Sequence, residues 1–131
     1  MALIEKNGFL LIGHALIDHD HDEFITLLNQ LDAADNGDFP ALFQQLLAHT
    51  EQHFDRENQL MEQSAFPAEA EHKGEHQRVL GELKQFKKRV DKGLIAFGRS
   101  LVRERLPQWL ELHVRTMDSA LAAHIKTQSQ A

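Results

Sequence analysis

The chain has 131 residues, a length that suits one domain with one core and needs no covalent staple to hold it. With no Cys, it has no route to a disulfide framework, an iron–sulfur cluster or a zinc–thiolate site. Fourteen Lys and Arg against 20 Asp and Glu give a formal charge of −6, with no basic stripe to recruit nucleic acid.

Hydrophobicity excludes more. No 18-residue apolar run is present, so no membrane span is expected. Residues 1–16 lack the basic start and small-residue cleavage site of a secretory signal, and a cytoplasmic location is expected. The run Lys84, Lys87, Lys88, Arg89 reads as a solvated helix face. Two oddities remain: nine His and no Tyr. Abundant imidazole and carboxylate without thiolate points to a hard or borderline metal.

Helical periodicity dominates, and breakers cut the chain at Gly13, Asn36-Gly37-Asp38, Pro40, Pro67, Lys92-Gly93 and Gly98. An arm over 1–16 precedes the first helix, predicted at 17–34 with Asp18 or a neighbour as its cap and the inward stripe Ile17, His21, Phe24, Leu28, Leu31. The second helix is predicted at 40–63, opened by Pro40, with the stripe Phe43, Leu46, Thr50, His53, Glu57, Leu60. The third, 67–90, carries His72, His76, Val79, Leu83, Phe86, Val90. The fourth, 100–125, carries Val102, Leu106, Trp109, His113, Met117, Leu121, and Pro107 should kink or split it. Steps of three and four residues mark core-facing helices. Short connections then favour an all-α, up-down-up-down antiparallel four-helix bundle, read as a single domain over 1–131.

Each stripe departs from its apolar rule in one zone, and each time with a metal-ligand residue: His21, then His53 and Glu57, then His72 and His76, then His113. Burying such groups is costly unless they are paired or bound to metal. His53-x-x-x-Glu57 and His72-x-x-x-His76 place their members one helical turn apart, within reach of one metal or of adjacent metals. In an antiparallel bundle all six come to one level near one end. His49 lies off the inward stripe and reads as a surface or supporting residue, as does His19; His14 and His124 have no partners at useful spacing and are expected in solvent.

Ile17-Asp18-His19-Asp20-His21, His53-Phe54-Asp55-Arg56-Glu57, His72-Lys73-Gly74-Glu75-His76 and Trp109-Leu110-Glu111-Leu112-His113, followed by Asp118, together resemble the hemerythrin family. The similarity runs from Phe9 to about Leu121, with Phe9 near the place where some members carry Trp. The resemblance implies two iron ions, oxo- or hydroxo-bridged. His72, His76 and His113 would bind one, His21 and His53 the other, and Glu57 and Asp118 would bridge them. Asp118 enters through the resemblance alone, since an ideal helix turns it about 140° away from His113. The family pattern also implies an oxygen pocket of Phe24, Phe54, Met61, Trp109, Leu110, Val114 and Met117.

The implied function is reversible binding of dioxygen for storage, delivery or sensing, without enzymatic turnover and with any redox or signalling partner unidentified. The alternative is a di-iron enzyme on the same fold, such as a peroxidase, an oxidase or a nitric oxide-handling protein; a metal-free or zinc-bound interaction module ranks third. A ferritin-like carboxylate site needs Glu-x-x-His on two helices, and only Glu69-x-x-His72 supplies one. His19-Asp20-His21-Asp22 imitates a metallo-hydrolase motif but lacks the strand and loop that motif requires.

Overall fold

The computed structural model describes residues 3–4 and 11–129; Phe9 lies outside them. The described chain is four helical rods and no strand. The first three are α1 (Ala15–Ala33), α2 (Phe39–Gln63) and α3 (Glu69–Asp91). The fourth rod, residues 95–129, is continuous but not uniform: α4 (Ile95–Ser100), a π-helical turn (Leu101–Arg105), α5 (Leu106–His113), a second π-turn (Val114–Asp118) and α6 (Ser119–Ser129). Short links at 34–38, 64–68 and 92–94 force each rod to run back along the one before. α1 packs on α2, α2 on α3 and α3 on α4, and the first π-turn returns to α1 and closes the bundle.

Local chemistry explains the helix ends. His14, not Asp18, caps α1, its ring nitrogen accepting from the Ile17 amide. Asp18 instead reaches back and accepts from the amides of Ile12 and Gly13, tying the preceding chain to the first turn. Asp35 turns the chain after α1 by accepting from the Asp38 amide. Gly93 ends α3 with φ +89°, a conformation open to Gly because it lacks Cβ.

The fourth rod starts earlier than expected, at Ile95. Gly98 does not break it but lies buried where α4 meets its neighbours: a Cβ there would stand 2.7 Å from Phe39 Cε1 and from Val90 Cγ2. Pro107 neither ends nor splits the rod. The π-turn before it sends the Leu106 amide to the Leu101 carbonyl, and Pro107 falls in the first turn of α5, where a missing N–H costs little.

The apolar stripes meet as two clusters. The larger runs from Phe24 through Leu28, Leu31, Phe43, Leu46 and Leu83 to Leu106 and Val114. The smaller, Ile17, Met61, Phe66 and Leu121, closes one end. Between them lies a polar layer of His21, His53, Glu57, His72, His76, His113 and Asp118, all buried. No helix among the described residues is long and apolar enough to cross a membrane.

Candidate metal centre

Every rod contributes to the polar layer at the same level. His53 and Glu57 rise from one face of α2, one turn apart, and His72 and His76 do the same on α3. His21 comes from the early turns of α1 and His113 from the end of α5. Asp118 joins them because of the second π-turn. There the Ser119 amide bonds to the Val114 carbonyl, five residues back, so the turn holds an extra residue. That extra residue brings Asp118 onto the face of His113, and His113 Nε2 lies 3.2 Å from Asp118 Oδ1.

The donor atoms form two groups within which all lie less than 4.8 Å apart: Glu57, His72, His76, His113 and Asp118 in one, and His21, His53, Glu57 and Asp118 in the other. Both carboxylates belong to both groups. Glu57 Oε1 is 3.1 Å from the Nε2 atoms of His72 and His76, and its Oε2 is 2.6 Å from His53 Nε2. Asp118 Oδ1 is 3.1 Å from His72 Nε2, and its Oδ2 is 2.8 Å from His21 Nε2.

These charges shape one another. Burial and Asp118 push the Glu57 carboxyl up, yet His53 and His72 outweigh them and hold it at about 2. Burial also raises Asp118, but His113, His21 and His72 keep it well below the usual carboxylate range. Burial disfavours the charged form of His53, but Glu57 and Asp20 raise it to about 10. His72 follows the same pattern: burial lowers it, and Asp118 and Glu57 raise it to about 9. For His76 burial prevails and its pKa is lowered.

Proximity does not satisfy all of these atoms. Glu57 Oε2, His72 Nε2, His113 Nε2 and Asp118 Oδ1 are fully buried without an aligned hydrogen bond among the described residues. An unsatisfied buried polar atom costs about 1–3 kcal/mol. Convergent lone pairs of imidazole and carboxylate are what a hard or borderline cation needs, so the residues present fit a bound metal.

A layer of supporting contacts surrounds the donors. His53 Nδ1 bonds to the buried Asp20 carboxylate at 2.9 Å, and Arg56 donates to the same carboxylate from Nε and from its terminal nitrogen. His76 Nδ1 bonds to Asn58 Oδ1 at 3.0 Å. Asp20, Arg56 and Asn58 were not singled out by periodicity; the available signal was that each directly precedes or follows a ring or carboxylate on an inward stripe. His49 is partly buried, stacks on His53 and bonds to the Asp20 carbonyl. His19 is exposed beside Glu23, and His124 is half-buried, bonded to the Ser64 carbonyl rather than free in solvent.

A small cavity of about 10 Å³ opens against the donors, at the threshold for one water-sized molecule. His21, His53, His113 and Asp118 line it on the polar side, and Phe24, Thr50, Phe54, Trp109 and Leu110 on the other. Phe24, Phe54, Trp109 and Leu110 were expected in an oxygen pocket; Thr50 was not. Val114 packs in the main core and Met61 in the end cluster, while Met117 borders a separate outer groove with Phe66 and His72.

Fold and site thus define a helical bundle built around a buried cluster of histidine and carboxylate suited to metal. Residues 13–125 match the family described as "Hemerythrin HHE cation binding domain". The chain belongs to the hemerythrin family. It is 40% identical to a bacteriohemerythrin of Ralstonia nicotianae over 118 residues, covering 90% of this chain and 85% of that one. It is 34% identical to a bacteriohemerythrin of Aquifex aeolicus, covering 94% of this chain and 98% of that one. Among solved structures, a hemerythrin mutant superposes with a TM-score of 0.83 at 17% identity, covering 95% of this chain and 98% of that one, a likeness of fold.

Proposed function

We infer that the chain binds dioxygen reversibly at a non-haem di-iron centre, for storage, delivery or sensing. The overlap of the two donor groups carries this reading: Glu57 and Asp118 are common to both, while the imidazoles divide three to two. On this reading His72, His76 and His113 would hold one iron and His21 and His53 the other, with Glu57 and Asp118 available to both. An iron pair, when bound, supplies the two electrons that dioxygen takes up and recovers them on release.

The chain's own residues set the conditions. Both imidazoles of the smaller group line the cavity, against His113 alone from the larger group, so the space where a diatomic ligand would enter lies mainly beside the less saturated half. Phe24, Phe54, Trp109 and Leu110 keep that space apolar and exclude bulk water, which favours release of the ligand intact over leakage to solvent. The Thr50 hydroxyl donates to the Leu46 carbonyl at 2.7 Å, so its proton is already committed.

Admitting air to the anaerobic ferrous protein tests the reading. Reversible binding gives a visible charge-transfer absorption that rises with oxygen and bleaches when oxygen is withdrawn. Irreversible oxidation with turnover of peroxide would replace the carrier reading with an enzymatic one. Protein that takes up no iron would defeat both.

A further inference from the structure

Four of the five imidazoles in the site lack a charged acceptor at the nitrogen turned away from the donors. Nδ1 of His21, His72 and His113 has no hydrogen-bond partner among the described residues, and His76 Nδ1 meets the neutral amide of Asn58. His53 differs. Its Nδ1 lies 2.9 Å from Asp20, a carboxylate only 2% exposed, whose two oxygens are gripped by Arg56 from Nε and its terminal nitrogen. That grip fixes the orientation of the carboxylate, as two-point guanidinium pairs do.

We propose that Asp20, clamped by Arg56, is a positioning residue for His53 that sets the metal affinity and reduction potential of the two-histidine half of the site. The proposal rests on the di-iron reading above. An imidazole that binds metal through Nε2 must carry its proton on Nδ1. A carboxylate acceptor there selects that tautomer, fixes the ring plane and strengthens the ring as an electron donor. The extra donation falls on the half with fewer imidazoles, where a metal would otherwise be held less firmly. Arg56 keeps the carboxylate aimed at His53 from a partly exposed position on the same helix, so it can be altered without opening the core.

Ferrous iron titrated anaerobically into the full chain tests this, with the metal-free melting temperature as the control for folding. Wild type should bind two equivalents. Asp20→Asn should weaken one of the two steps about 10–100-fold and raise the midpoint potential, and Arg56→Gln should do the same to a smaller degree. Asp20→Glu should recover part of the loss. Anomalous scattering from half-loaded Asp20→Asn crystals should place the remaining metal at His72, His76 and His113, and Asn58→Ala should weaken that half instead. Two wild-type binding steps and an unchanged potential in Asp20→Asn and Arg56→Gln would overturn the proposal and leave the di-iron reading intact. Equal weakening of both steps, in parallel with a lower metal-free melting temperature, would reduce the pair to a strut between α1 and α2 and also overturn it. Wild-type protein that binds no ferrous iron would remove the di-iron reading and this proposal together.

Discussion

His113 and Asp118 stand five residues apart, yet His113 Nε2 and Asp118 Oδ1 lie 3.2 Å from each other because residues 114–118 wind as a π-helix. A π-turn is an α-helix carrying one extra residue. Deleting the exposed Arg115 would leave the pair four apart in plain α-helix, still on one face. That variant should keep its helicity and its capacity for two metals. Inserting one Ala between Thr116 and Met117 should instead swing Asp118 by about 100° and abolish two-metal loading. Circular dichroism and metal analysis of the two variants check the contrast.

Metal-free and metal-loaded protein should respond oppositely to pH. Without metal, His53 and His72 are raised to about 10 and about 9. Groups raised above their unfolded values stabilise fully below about pH 6.5, and that contribution fades as pH climbs through their folded values. The metal-free melting temperature should therefore fall between about pH 6.5 and 10. With metal bound, protons compete for the same imidazole lone pairs, so the loaded protein should lose metal and stability on acidification. Melting curves of both forms across this range show whether the slopes oppose.

Gly98→Ala should destabilise the bundle by about 1–3 kcal/mol, because the added Cβ would meet the side chains of Phe39 and Val90 at 2.7 Å. Helix propensity alone would favour Ala. Denaturant unfolding gives the sign; a stabilised variant would mean that the contact relaxes freely.

Trp109 is the wall between the inner cavity and an outer groove bordered by Arg78, Glu82, Leu101 and Arg105. Its indole N–H donates to Glu75 at 3.1 Å. On the dioxygen-binding reading, Trp109→Ala should join the two spaces, cost about 3 kcal/mol and speed both oxygen release and the irreversible oxidation of ferrous iron by dioxygen that entry of water assists. Trp109→Phe should keep the wall, lose the bond to Glu75 and stay near wild type in both rates. Stopped-flow traces of the ferrous protein separate the two variants.

The bundle and much of its polar layer were open to reading from sequence, because a helix repeats on itself. Steps of three and four put His21, His53, Glu57, His72, His76 and His113 on the same faces as Phe24, Leu46 and Leu83, and all of these are buried. The start of the fourth rod was hidden because Gly98 looks like a breaker until Phe39 and Val90 are seen beside it. The roles of His14 and Asp18 at the start of α1 were hidden for a smaller reason: several polar side chains there compete for the same few amides.

Residue type and spacing set the four helices, their inward faces and the kinds of donor that meet between them, since all of these depend on neighbours within about one turn. Tertiary structure alone decided which atoms meet. Asp20 reaches His53 and Arg56 across 33 and 36 residues. The placement of Asp118 beside His113 depends on where a rod takes its extra residue, and no α-helical periodicity encodes that winding. Local pattern fixes the face a side chain occupies; packing between rods fixes its partners.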